Sequence, residues 1–112
     1  MNFTQATARK RILEALAHHD AEIPFDLGST AVTGAHVSVV QVLREQYGLE
    51  RVPVKVHEPF QMLGLIEDDL AAAMGVHTTG VFARSTMVGF PLGSWKEWRR
   101  PWGQEAAPSL AE

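Results

Sequence analysis

The chain has 112 residues, room for one small domain with a real core but not for two. Hydrophobic residues make up 46% and charged residues 21%, and the net charge of −3 lacks the basic excess of a general nucleic-acid binder. With no cysteine, the chain forms no disulfide, thiolate metal site or cysteine nucleophile of its own, which suits the cytoplasm.

From the amino terminus, Thr4 is a plausible helix cap and the run to about His18 reads as a helix. Ile12, Leu13 and Leu16 form its apolar stripe, and Arg9, Lys10 and Arg11 its solvated face. The opening MNFTQATARKR has no apolar core behind its charges, so a secretory signal is not expected. HHDAE is a polar break, and Ile23 to Leu27 then reads as a short strand, with Pro24 near its start. Ala35 or His36 to Tyr47 reads as a second helix. Val37, Val40 and Leu43 line one side, and Val39 and Val42 widen the apolar surface. Gly48 fits the left-handed position after its end, and Leu49 the contact that follows.

Val52 to Val56 alternates around Pro53 and reads as a second strand, followed by the connector HEPFQMLG. Ile66 to Met74 reads as a third helix. Glu67, Asp68 and Asp69 in its first turn complement the helix dipole, and Gly75 stops it. Val76 to Phe82 is a candidate third strand. Helices alternating with strands imply parallel strands joined by helical crossovers. The tail RSTMVGFPLGSWKEWRRPWGQEAAPSLAE, rich in Gly, Pro and Trp, breaks that rhythm and reads as a hairpin excursion with a frayed end at AAPSLAE.

The stretch between the first strand and the second helix holds the most chemistry. Ser29, Thr30 and Thr33 place three hydroxyls between Gly28 and Gly34. At the carboxyl edge of a parallel sheet such a loop meets ligands; equally, glycines permit a turn and hydroxyls cap a helix. The spacing matches neither a Walker A loop nor a G-x-G-x-x-G fingerprint. Asp26 meets water if the sheet is open and points toward a site if it closes. His36 and His57 each follow a candidate strand and are placed to reach a shared pocket, or else serve as structural histidines, whereas His18, His19 and His77 look peripheral. No histidine pair has the i, i+4 helical spacing of a zinc site. SWKEWRRPWG mixes Trp95, Trp98 and Trp102 with Lys96, Arg99 and Arg100; stacking on single-stranded nucleic acid uses this mixture, but so does a hairpin packing its tryptophans on the domain, and the acidic balance favours the latter.

IPFDLGSTAVTGAH, EPFQMLGLIEDDLAAAMGVHTTGV and WKEWRRPWG together resemble the amino-terminal third of the uroporphyrinogen decarboxylase-like superfamily. The nearest kin are the proteins related to cobalamin-dependent methyltransferases, including those acting on coenzyme M. The likeness runs from residue 6 to about 104, and its most specific part is the pattern Asp-Leu-Gly-x-Thr-x-x-Thr-Gly-x-His over 26–36. It implies an α/β fold, a TIM barrel needing about 250 residues. A chain with three candidate strands is then a partial barrel: a leading helix to about residue 20, βα units over 21–83 and the Trp-rich hairpin over 84–112. Such a piece leaves a strand edge unpaired and is expected to form a homo-oligomer or to need a second polypeptide.

The resemblance further implies a parent enzyme that moves a methyl group to or from a corrinoid, the isolated chain being inactive. From their strand–loop position, and not from a family motif, Asp26, Ser29, Thr30, Thr33 and His36, with His57, are the expected contacts to a small-molecule or corrinoid-linked substrate; no catalytic residue is assigned. Family decarboxylases, which act in haem synthesis, carry an arginine-rich motif where this chain has 28–34 without arginine. Zinc in the methyltransferase relatives is held by histidine and cysteine later in the chain, where it activates a substrate thiolate. No cofactor is therefore expected on these residues alone, nor any nucleic-acid or membrane partner. A non-catalytic assembly module that completes the barrel is the alternative outside enzymology.

Overall fold

The computed structural model describes residues 5–19, 22–86, 89, 92–93, 95, 98–99 and 105–108. Helix α1 (Gln5–Leu16) docks through Ala8, which is buried, while Leu13 and Leu16 of the expected stripe are exposed. The helix is rotated from the sequence expectation because Arg11 turns inward: its guanidinium pairs with Glu22 and lies 3.0 Å from the His77 ring. Thr4, the expected cap, lies outside the described residues.

Helix α2 (Val37–Gln46) buries Val37 and Val40 on one face and leaves Val39 and Val42 half exposed on the other. Gly48 ends it with φ +66°, and the Leu49 N–H reaches back to the Arg44 carbonyl at 3.0 Å. Strand β1 (Val54–Glu58) turns Val54 and Val56 onto α2. HEPFQMLG is more than a connector. The Glu58 carboxylate accepts the Phe60 and Gln61 N–H groups, Met62 takes φ +56°, and the chain returns as strand β2 (Leu63–Gly64), antiparallel to β1 across a bulge. Gly64 is needed here, since a Cβ would stand 2.7 Å from Val54 Cγ1 and 2.8 Å from Val40 Cγ2.

Helix α3 (Asp68–Met74) starts two residues later than expected and closes at Gly75, φ +72°. Its Leu70 joins Val37, Val40, Val54 and Val56 in the core, with Leu43, Ile66 and Met74 packed around them. Arg44, buried near the end of α2, clamps α3. Its two terminal nitrogens donate to the two Asp69 oxygens, each at 2.8 Å, and one of them also to the Glu50 carbonyl at 2.7 Å. That pairing raises the Arg44 pKa against the opposing effect of burial. It also holds the Asp69 carboxyl below the usual range.

Strands β3 (Trp98–Arg99) and β4 (Glu105–Pro108) pair antiparallel, and β4 runs parallel to β1. The sheet order is β2-β1-β4-β3. Ala106 to Pro108, expected to fray, thus form a ladder.

The partial TIM barrel is overturned. Among the described residues the sheet is open and mixed, not a row of parallel strands joined by helices. The expected strands at Ile23–Leu27 and Val76–Phe82 form no ladder. They run side by side, but the Phe25 N–H donates to the His77 ring Nδ1 at 2.8 Å rather than to a carbonyl. One backbone bond, His77 N–H to the Phe25 carbonyl at 2.8 Å, joins the two stretches there. Pro24 lacks an N–H and Gly28 sits at φ +81°, so the segment supplies few of the regular donors a βα unit requires. The neighbours of β1 are instead the hairpin return β2 and the distant β4. Among the described residues no helix is long and apolar enough to cross a membrane.

Candidate functional site

Asp26 is the centre of the loop. Its carboxylate accepts the Thr78 hydroxyl and, at 3.4 Å, the Ser29 N–H. Burial raises its pKa, but the bonds from Thr78, Ser29 and Thr33 together outweigh burial and hold the carboxyl below its usual range. The acid therefore stands ionised at neutral pH and pins 26–29 to 78–80.

The remaining hydroxyls turn inward on the loop. Thr30 N–H donates to Thr33 Oγ1 at 3.2 Å, and Thr30 Oγ1 accepts the N–H groups of Val32 and Thr33, each at 3.2 Å. The Gly28 N–H closes the turn on the Thr33 carbonyl at 2.9 Å. This is the hydrogen-bonding habit of an ST-turn. Gly28 is required twice over, by its φ of +81° and because a Cβ would stand 2.4 Å from Ile66 Cγ1. A Cβ on Gly80 would lie 2.9 Å from the Ser29 carbonyl oxygen, so the segment at 78–80 approaches the loop backbone to backbone.

Between the loop, residues 78–80 and the start of α3 opens a cavity of about 300 Å³. Ser29, Thr78 and Thr79 bring hydroxyls to it, Glu67 and Asp68 carboxylates, and Phe82 an aromatic wall. The volume suits a small molecule and is at the low end for ligand sites. Lys55 pairs with Glu67 at 3.0 Å and partly offsets the acidic rim.

The expected site residues separate into groups. Asp26, Ser29, Thr30 and Thr33 share one loop, with Ser29 lining the cavity. His36 caps α2, its Nδ1 accepting the Ser38 N–H at 3.2 Å. His57 lies on β1 with its ring 4.9 Å from that of Phe82, so it meets the cavity only through that wall. Burial lowers the His57 pKa, against the smaller opposing pull of Glu58.

Thr78 was missed. Its signal was the hydroxyl-glycine run Thr78-Thr79-Gly80, which echoes the hydroxyls and glycines of 28–34. His77, expected to be peripheral, is the post on which Phe25 and Arg11 rest. Among the described residues no three His, Cys, Asp or Glu side chains gather as a metal site. No protein-family profile, curated protein or solved structure matches the chain.

Proposed function

We propose that this chain supplies the substrate-facing segment of an enzyme of the uroporphyrinogen decarboxylase-like kind, transferring a methyl group to or from a corrinoid held by the rest of the assembly. The observation that carries the reading is Asp26, which accepts the hydroxyl of the cavity-lining Thr78, within the pattern Asp-Leu-Gly-x-Thr-x-x-Thr-Gly-x-His. Asp26 acts as a positioning residue: it fixes the Ser29 turn against Thr78 so that the hydroxyls of Ser29, Thr78 and Thr79 face a small substrate. The cavity is sized for that substrate and not for a corrinoid macrocycle, which belongs elsewhere. Absence of arginine from 28–34 disfavours porphyrinogen decarboxylation, whose several carboxylates need cationic partners. The reading puts the chain in the cytoplasm, which its lack of cysteine suits.

A specific observation favours a second reading, a non-catalytic assembly module that binds another polypeptide. Ile23, Val32 and Val81 are each about nine-tenths exposed on the segments that carry the site (89%, 93% and 96%). The chain co-produced with the product of its adjoining reading frame distinguishes the two. Demethylation of methylcobalamin by the pair, reduced at least tenfold by Asp26→Asn, is the expected result. Association without turnover makes the chain an assembly module, and consumption of uroporphyrinogen makes it a decarboxylase part.

A further inference from the structure

His77 is asked to accept two hydrogen bonds at once. The Phe25 N–H reaches its Nδ1 at 2.8 Å, and a terminal nitrogen of Arg11 stands 3.0 Å from its Nε2. A guanidinium only donates, and a ring nitrogen accepts only when it carries no proton. A neutral imidazole has one such nitrogen, and a protonated one has none. One tautomer therefore ties His77 to Phe25, the other ties it to Arg11, and protonation unties both. The geometry favours the first, since the Phe25 contact is the shorter and Arg11 has a second partner in the Glu22 carboxylate.

This tie lies beside the candidate site. Phe25 precedes Asp26 and His77 precedes Thr78, so the Phe25–His77 bond is one residue away from the Asp26–Thr78 bond. Histidine changes charge between about pH 5 and pH 8. Over that range its neighbour does not, because the bonds to Asp26 hold its carboxyl below the usual range and keep it ionised. The backbone bond from the His77 N–H to the Phe25 carbonyl involves no titrating group. Of the three bonds that join the two stretches here, one alone responds to a proton.

We propose that His77 is a proton-controlled tie: with Nδ1 unprotonated it holds 22–27 against 77–80 beside the cavity, and protonation loosens the pair. The charged groups around the ring come from three elements. Arg11 of α1 is the nearest and repels the ring once it is charged, while Glu22 of the paired segment, held by Arg11, moderates that repulsion. Arg9 of α1 and Asp68 of α3 face His77 across a second cavity, of about 520 Å³. The tie is whole while the ring is neutral and is lost as pH falls. The inference concerns how these segments are held and stands without the methyl-transfer reading.

The test follows the full chain, labelled with ¹⁵N, from about pH 8 to about pH 5. The His77 ring signals are identified by their loss in His77→Asn. The Phe25 amide is expected to lose about fivefold or more of its protection from exchange, corrected for the intrinsic effect of pH, in step with protonation of the His77 ring, while Val40 keeps its protection. In His77→Asn the side-chain oxygen stands near the place of Nδ1 and takes no proton, so Phe25 is expected to stay protected across the range. Phe25 protection that does not change as His77 titrates overturns the proposal. So does a ring that carries its proton on Nδ1 at pH 8, a ring that takes no further proton by pH 5, or the same loss of protection in folded His77→Asn. The first three of these are read on the unaltered chain, so a variant that fails to fold does not shield the proposal.

Discussion

The unit from His36 to Val76 and the paired segments 22–34 and 77–82 are held together by different forces. In the first, Val37, Val40, Val56 and Leu70 are fully enclosed, and α2, β1, β2 and α3 share one apolar core. In the second, Ile23, Val32 and Val81 stand in solvent and the contacts are polar: Asp26 with Thr78 and Ser29, His77 with Phe25 and Arg11. Burial of a large side chain contributes about 1.5–3 kcal/mol, whereas a net hydrogen bond contributes about 0.5–1.5. The candidate site therefore sits mainly on the less strongly held of these two units, which is expected to open before the other.

Leu70→Ala breaks that contrast at its strong end. The side chain has no exposed surface and lies at the centre of the core. Its truncation is expected to cost about 2–5 kcal/mol, read as a lowered urea midpoint with an unchanged slope. The loop bonds around Asp26 do not compensate, since they lie outside the cavity so created.

Asp69→Asn comes next. Arg44 is buried and loses a two-point partner, while Asp69 itself is 45% exposed, so solvent screening discounts the effect to about 1–2 kcal/mol. The pH dependence has a definite sign. Arg44 keeps the folded Asp69 pKa below its unfolded value of about 3.9, so its stabilisation is fully present above that value and is lost as pH falls through the folded pKa. Asp26, also depressed, adds a loss of the same sign. Chemical denaturation between pH 7 and pH 3 is expected to show a shallower acid decline for Asp69→Asn than for the unaltered chain.

The same contrast explains what could be read from the residues. Helix α2 was legible because Val37, Val40 and Leu43 recur at helical spacing, and α3 because acids fill its first turn, with Gly48 and Gly75 stopping them, all local signals. The face of α1 was not, because Arg11, counted as solvated, turns in to Glu22 and His77. Alternation at 23–27 and 76–82 marks extended chain, but it cannot tell a backbone ladder from two segments tied by a histidine ring and an aspartate. Strand β2 was hidden because the Glu58 side chain, rather than a turn motif, shapes the return. Strand β4 exists through pairing with β1 about fifty residues away, for which Ala106 to Pro108 carry no local sign. At the site, Ser29 was visible as a hydroxyl in a glycine-bounded loop, and Asp26 as the odd polar residue of the expected strand before it. Thr78 was not, since only the fold brings it to Asp26.

Thr78→Val acts on the weak side. It keeps the shape and removes the hydroxyl from Asp26, for an expected cost of about 1 kcal/mol confined to the loop and the segment at 78–80. Amide exchange at Gly28, whose N–H closes the loop, should quicken several-fold, while exchange at Val40 in α2 stays unchanged. Equal quickening at both would mean that the segments and the core unit unfold together, which removes the distinction.

The smallest effect is expected from Val81→Ser. Its side chain is almost wholly exposed, so the isolated chain should lose less than about 0.5 kcal/mol and melt at nearly the same temperature. What makes the variant informative is the disproportion between that small change and any change in association. Exposed apolar residues on a segment held by polar bonds contribute little to their own fold, and their free energy is available only to a partner that covers them. Co-sedimentation of the chain with the product of its adjoining reading frame, the partner proposed above, is therefore expected to weaken in Val81→Ser and further in the double variant Val32→Ser/Val81→Ser, with the melting temperature of the isolated chain held. Unchanged association would leave the polar cluster around Asp26, rather than this apolar edge, as the feature that commits the weaker half of the molecule to a function.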